Sequence, residues 1–383
     1  MKSSFSLLKK YFQLDPKFTY LNHGSFGACP YPIFDAREKW QKEIEFQPVS
    51  FVQDKAIEAL DWSRDALSSY LHCNKDDVVY FPNPTTAMNM VIRSLDLRPG
   101  DEVLSSNHEY GAVERTWRFV AQKKGFSYKS IDIPLPFDKE DFINRIKDSI
   151  TSKTRIIFLS HITSPTAIIF PIDEICKLAK ELNIMTIIDG AHAPAQIDLN
   201  LETLGADIYT GACHKWMLCP KGVAFLYASK EFQDKLEPLV VSWGWESEAP
   251  SHSKFLDYHQ YQGTNDVSAY LSVPSAIEFL NENNWKEVRD YCHKKIIETR
   301  EILLDTSRTD PICSDQDLGQ MTSIMIDTED SEKLYKYLKQ NNIEVPIFNW
   351  NGESILRVSF QCYNTIEDIH ILNKFLSKYL NGN

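Results

Sequence analysis

The eight cysteines of the chain (Cys29, Cys73, Cys176, Cys213, Cys219, Cys292, Cys313, Cys362) never form a Cys-x-x-Cys pair. That scatter excludes a disulfide framework and zinc hairpins as first readings, and points to reduced thiols in a cytoplasmic protein. Long apolar runs are missing too; none approaches the ~20 residues needed to cross a bilayer. The N-terminal MKSSFSLLKKYFQLDP has only a four-residue apolar fragment, too short for a secretory signal, and reads as a short amphipathic helix. Basic residues are in deficit, 41 against 53 acidic, for a net charge of −12. That balance opposes non-specific nucleic-acid binding but leaves room for a locally positive anion site. Several site motifs are absent: Gly-x-Gly-x-x-Gly, a phosphate loop ending Gly-Lys-Ser/Thr, His-Glu-x-x-His and Gly-x-Ser-x-Gly.

What is there is ordinary in composition, 43% hydrophobic and 25% charged over 383 residues. The length suits two domains, or one large domain with a satellite. Helical and strand periods alternate through the first two-thirds. DKAIEALDWSRDALSSYL reads as a helix, DVVYF as a strand, and TTAMNMVIRSL as a helix starting at a Thr-Thr cap. The pattern continues through RIIFLSHI and IMTIIDG, apolar runs of the kind that parallel strands covered on both faces require. Near 281–285 the texture changes to a long charged helix, WKEVRDYCHKKIIETREILLD, followed by short strands and helices. We read an N-terminal segment (1–45), a large domain (46–282) and a smaller α+β domain (283–383).

Two groups in this pattern carry chemistry. IMTIIDG ends a strand on Asp189, which places a carboxylate at the edge of a parallel sheet where ligands bind. Lys215 follows in TGACHKWMLCPKG, between the strand-like ADIY and VAFLYA. Pyridoxal phosphate needs this pair: an amine for its aldehyde and a carboxylate for its ring nitrogen. Thr85 and Thr86, at a helix start, offer hydroxyls and a positive dipole end to a phosphate. Taken singly, Asp189 reads equally as a turn former, Thr85 and Thr86 as plain caps, and His192 as a core histidine. His23, His161, His192 and His214 have no spacing that supports a metal.

Taken together, the motifs resemble the class V aminotransferases of fold type I, in the branch of isopenicillin N epimerase and the ergothioneine C–S lyases. The resemblance runs almost end to end, through YLNHGSFGACP, PNPTTAMN, HEYGAVERTWRF, SHITSPTAIIFPI, DGAHAPAQ, CHKWMLCPKG, YQGTNDVSAYLSVPSAIEF and LRVSFQCYN. It implies an α/β fold: a large domain with a mostly parallel mixed sheet covered by helices, plus a smaller α+β C-terminal domain. The implied cofactor is pyridoxal 5'-phosphate, with Lys215 on its aldehyde, Asp189 on the ring nitrogen and His192 at the phenolic oxygen. Ala191 would pack beneath the ring and Tyr110, rather than His108, would stack above it. Thr85, Thr86 and His214 fall at phosphate positions, and Thr264 would reach the phosphate from the second subunit of a homodimer. Arg357 would clamp the carboxylate of a small amino-acid substrate, with Asn22 and His23 lining the substrate side. Two residues depart from the family pattern: Ala167 stands where glycine is usual, and Ala212 where a polar residue is common.

Resemblance to this family implies deprotonation of the substrate Cα by Lys215, and leaves β-elimination, epimerisation and transamination to follow. Persulfide-forming desulfuration is disfavoured, because no cysteine lies between Ser314 and Arg357. Tyr110, His23 and Tyr363 are candidates for a second acid or base. We expect a C–S lyase acting on a cysteine-derived amino acid, with epimerase as the alternative, because elimination needs fewer dedicated groups. Trp243 and Trp245 read either as an aromatic wall for a substrate tail or as interface packing. A non-catalytic binding protein is the reading from another class, and the presence of Lys215, Asp189 and Arg357 weighs against it.

Overall fold

The computed structural model describes residues 4–328 and 330–382. Its first strands are β1 (Thr19–Tyr20), β2 (Val78–Phe81), β3 (Glu102–Ser106), β4 (Ser127–Ile131), β5 (Thr154–Ser160) and β6 (Met185–Asp189). They are followed by β7 (Ile208–Ala212), β8 (Ala224–Ala228), β9 (Met321–Ile326), β10 (Ile343–Glu344), β11 (Ile347–Trp350) and β12 (Glu353–Ser359). Seven of them form the main sheet, in the order β2-β8-β7-β6-β5-β3-β4. The pairings from β7 to β4 are all parallel, and β8 alone runs against its two neighbours.

The apolar runs explain why this sheet forms. Along β5, Ile156 and Phe158 face one apolar cluster with Ile187, Ile208 and Leu226, while Ile157 and Leu159 face the other with Ile188, Tyr209 and Phe225. Both faces are therefore covered, and each fully buried aliphatic or Phe side chain contributes about 1.5–3 kcal/mol. A parallel order needs a crossover between successive strands, and helices such as Gly111–Lys124, Lys139–Ser149 and Ile172–Glu181 supply it. From β7 to β8 there is no helix. The connecting residues 213–223 return directly, so β8 is antiparallel and Lys215 sits in a wide hairpin connection rather than a crossover.

A second, antiparallel sheet has the order β11-β12-β9 and places Arg357 opposite Ser323. Strand β11 lay outside our sequence reading, although Asn351 and Gly352, both at positive φ, mark the tight turn that joins it to β12. Strand β1 pairs in parallel with β10, and Ser359 N donates to Leu21 O at 2.9 Å. The N-terminal segment is thus tied to the C-terminal sheet before it crosses to the main one. The expected N-terminal helix is present as 3-10 turns over Ser4–Tyr11; residues 1–3 of that reading lie outside the described residues. No helix among the described residues is long and apolar enough to cross a membrane.

One capping expectation needs correction. The helix after β2 runs Pro84–Ser94, and its cap is Asn83, not the Thr-Thr pair. Asn83 Oδ1 accepts from Thr86 N at 2.8 Å and from the Thr86 hydroxyl at 3.0 Å. Pro84 takes the first helical position, where its missing N–H costs nothing. Thr85 and Thr86 fall within the first turn. Asn83→Ala is expected to lower stability by about 1 kcal/mol, read as a lower urea midpoint with an unchanged slope.

Candidate active site

The ends of three parallel strands lie level, with Ser160 paired to Asp189 and Asp189 to Thr210. Beyond them, a cavity of about 140 Å³ is lined by Lys215, Asp189, Ala191, His192, Tyr110, Thr85 and His214. The Asp189 carboxyl is buried and accepts from Ala191 N at 3.0 Å. Burial pushes its pKa up, opposed by that hydrogen bond and by the nearby Lys215 charge. It has no salt-bridge partner among the described residues.

Lys215 Nζ lies 3.1 Å from His192 Nε2. Burial, with the Arg357 charge adding to it and Asp189 opposing it, brings the lysine pKa down to about 7. His192 is held well below the usual histidine range, first by burial and then by the positive charge of Lys215. On its far side, Trp216 Nε1–H donates to His192 Nδ1 at 3.3 Å. His214 donates from Nδ1 to Val223 O at 2.9 Å, and burial lowers its pKa to about 4.

The backbone that carries Lys215 is held from two directions. Within the loop, Leu218 N bonds to Lys215 O and Cys219 N to Cys213 O, both at 3.0 Å. Leu218 is fully buried at φ +64°, a conformation that costs a branched residue of order 1–3 kcal/mol. From outside, His23 Nε2–H donates to Lys215 O at 3.1 Å while its Nδ1 accepts from the Tyr363 hydroxyl at 2.8 Å. Both ring nitrogens of His23 are therefore engaged by protein, and burial lowers its pKa to about 3. The structure seats His23 behind the lysine, against Trp216, and not as a free base facing the cavity. Tyr363 is tied up in the same contact.

Arg357 is buried behind Ser25 and Ser164, two residues of the cavity lining. Its guanidinium bonds Ser164 O at 2.5 Å and the hydroxyls of Ser164 and Ser25 at 3.2 and 3.1 Å. Its Nε has no partner, and no carboxylate faces it among the described residues. Burial lowers its pKa to about 10. Asn22 Oδ1 is also buried without a partner, and Asn22 is not among the residues that line the cavity.

Other expected residues are not brought to this cavity. Thr86 turns its hydroxyl into the Asn83 cap. His108 is buried between Thr166 Oγ1 and Ile133 O, whereas Tyr110 is half exposed and lines the cavity. Thr264 is exposed, bonds Tyr261, and lines a separate groove of about 710 Å³ with Trp243. Sequence reasoning passed over Glu109, which is buried behind Asp189 and accepts from Ser106 Oγ at 2.6 Å and Ser160 Oγ at 2.7 Å. Burial raises its pKa to about 8. No periodicity marks such a residue; only the register of β3 with β5 brings the serines together.

The donor set fits pyridoxal phosphate. A buried acid without a cation partner suits a ring nitrogen, an amine near neutral pKa suits an aldehyde, and a helix N-terminus suits a phosphate. An α/β scaffold with lysine, acid and helix start converging at one sheet edge defines the class. The chain belongs to the aminotransferase class-V family, whose profile matches residues 43–372. It is 31% identical to the isopenicillin N epimerase of Amycolatopsis lactamdurans, over 95% of this chain and 96% of that one. It is 28% identical to a probable chloroplastic L-cysteine desulfhydrase of Arabidopsis thaliana, over 97% and 84%. To the hercynylcysteine sulfoxide lyase of Schizosaccharomyces pombe it is 25% identical, over 77% of each. Its fold matches a C-DES variant solved with glycine covalently linked to the PLP cofactor, at a TM-score of 0.84 and 19% identity, covering 94% and 97%.

Gly27 decides how closely the N-terminal segment approaches the lysine. It sits at φ +69°, and an added Cβ would lie 2.2 Å from His214 O and 3.0 Å from Lys215 Cα. Backbone cannot yield there. Gly27→Ala is expected to cost more than about 2 kcal/mol and to weaken cofactor retention, measured by thermal unfolding and by bound-cofactor absorbance after dialysis.

Proposed function

We propose that this chain is a pyridoxal-phosphate lyase that breaks the carbon–sulfur bond of a cysteine-derived amino acid by β-elimination. The observation that carries this reading is one cavity holding Lys215 with a neutral-range pKa and an unpaired buried Asp189, whose lining Ser25 and Ser164 are bonded by an Arg357 without a carboxylate. When bound, the cofactor supplies a sink for negative charge developing at the substrate Cα. Lys215 and Asp189 would hold it at its aldehyde and ring nitrogen, with His192, Ala191 and Tyr110 around the ring. Thr85 and His214 would meet its phosphate.

Arg357 orients the substrate by its carboxylate, and the desolvation already imposed on the guanidinium makes an arriving anion welcome. Lys215 then takes the Cα proton, which its lowered pKa allows near neutrality. The Cβ–S bond breaks with its electron pair leaving on sulfur, and the Tyr110 hydroxyl stands at the cavity to protonate it. Elimination is favoured because His23 and Tyr363 are bound to each other and to the lysine backbone, leaving few groups for a second base. The names of the desulfhydrase and sulfoxide-lyase relatives support the same choice. Epimerisation is the second reading, favoured by the 31% identity to an epimerase.

The exposed Val49, Ile57 and Trp243 and the apolar groove containing Thr264 support a homodimer in which Thr264 reaches the partner's phosphate site. The eight unpaired thiols suit a reducing cytoplasm. Residues 1–45, 46–282 and 283–383 serve in this reading as substrate-side segment, cofactor domain and small domain.

Borohydride reduction of the holoenzyme followed by peptide mapping should label Lys215; a label elsewhere, or none, overturns the reading. Supplied with L-cysteine, L-cystine and hercynylcysteine sulfoxide, the enzyme should release pyruvate from at least one. Racemised substrate without keto acid would instead establish the epimerase. Capture of the cofactor by the cofactor-free protein should accelerate as pH rises through about 7 and then level off, followed by absorbance. An ordinary lysine would keep gaining reactivity to its usual pKa, ~10.4. Arg357→Lys should lower kcat/KM about 10–100-fold, mainly through KM, because a bidentate charge-assisted contact is lost.

A further inference from the structure

The indole N–H of Trp216 can only donate, and it points at His192 Nδ1 from 3.3 Å. A neutral imidazole carries one proton. With Nδ1 accepting from Trp216, that proton must sit on Nε2, which faces Lys215 Nζ at 3.1 Å. The alternative tautomer would set two N–H groups against each other in a buried contact.

We propose that Trp216 is a positioning residue whose indole N–H locks His192 as the Nε2–H tautomer, so that a donor and never an acceptor faces the Lys215 amine. The consequence for Lys215 has a definite sign. A donor opposite Nζ stabilises the unprotonated amine, which has a lone pair to offer, and disfavours the ammonium, which has only donors. Trp216 therefore works in the same direction as burial and the Arg357 charge, which bring Lys215 down to about 7. A fixed Nε2–H also suits the anionic phenolic oxygen of the cofactor in the proposed function, on which this second role rests.

The indole itself has no freedom to turn away. Trp216 is fully buried, and the His23 ring packs on it with centroids 4.9 Å apart. His23 is in turn held by Tyr363 and by the carbonyl of Lys215. The charged and titratable groups that act on His192 are Lys215, Arg357, His214 and His23, all of which push it toward the neutral form the lock requires. Asp189 acts on Lys215 in the opposite sense.

The test compares the full-length protein with Trp216→Phe, which keeps an aromatic ring and loses the N–H. Nitrogen-15 NMR of histidine-labelled protein, with His192 assigned through His192→Gln, reads the tautomer directly without cofactor or activity. We expect a fixed Nε2–H pattern in the parent, and movement of both ring signals toward tautomer-averaged values in Trp216→Phe. The Lys215 amine, titrated by NMR in lysine-labelled samples of the same proteins, should rise by up to about one pKa unit, the equivalent of one neutral hydrogen bond. If Trp216→Phe does not fold, benzothienylalanine at position 216 replaces the indole N–H by sulfur at nearly constant shape and receives the same measurements. Unchanged His192 signals and an unchanged lysine titration, in whichever variant folds, would overturn the proposal and leave Trp216 a packing residue. The outcome is separate from the proposed reaction, because a locked tautomer in a protein that releases no pyruvate would sink only the latter.

Discussion

An unprotonated amine inside a protein is the constraint around which this structure is arranged. Lysine prefers water and a proton; near Lys215 burial and a guanidinium oppose that proton, and Asp189 favours it. The balance near neutrality holds only while the amine stays at the level of the strand ends. Its main chain is accordingly tied into the β7–β8 connection by its own hydrogen bonds and gripped from outside by His23. The β1–β10 pairing and the bond from Ser359 to Leu21 deliver His23 there. The N-terminal segment, the small sheet and the lysine loop are thus one mechanical assembly, and Gly27 lets its parts touch.

The strands of the main sheet were legible because both of their faces are apolar, so β5 and β6 stand out as unbroken runs of Ile, Phe and Leu. The helices between them announced themselves by period. The direction of β8 was not legible, since it depends on the absence of a helix in residues 213–223 and not on any property of VAFLYA. Strand β11 was passed over because Pro346 and Asn349 break its apolar pattern, although the Asn351-Gly352 turn was there to be read. At the site, Asp189 and Lys215 could be placed from the strands they follow. Asn83 was hidden by the two threonines after it, even though Asn-Pro is the stronger start signal.

Contacts between distant parts of the chain left no mark on the local pattern. His23 and Tyr363 meet across 340 positions, and no window could pair them. Trp216 looked like one more apolar residue in CHKWMLCPKG, because its importance lies in the direction of a single N–H. Glu109 followed a histidine in a polar stretch, and only strand register brings Ser106 and Ser160 onto its two oxygens. Ala167 is a mixed case. Its departure from the family's usual glycine was visible, and the structure places it fully buried at φ +60°, a left-handed position where an alanine carries strain that a glycine would not.

The same tethering bears on the choice between elimination and epimerisation. Both begin with loss of the Cα proton and differ in what the cavity offers next. Inversion at Cα requires a group of suitable basicity on the face opposite Lys215, free to deliver a proton. His23 has spent both nitrogens on Tyr363 and the Lys215 carbonyl, and Tyr363 has spent its hydroxyl on His23. His108 is likewise saturated by Thr166 and Ile133. The cavity wall itself presents the Tyr110 phenol, the hydroxyls of Ser25, Ser160 and Ser164, and the imidazoles of His192 and His214, both held below the usual histidine range by burial. Elimination asks less of that wall, because the second bond breaks under the pull of a good sulfur leaving group and needs only a proton donor. A cavity whose His23 is committed to holding the lysine backbone fits the proposed elimination, in which the substrate carries its own leaving group.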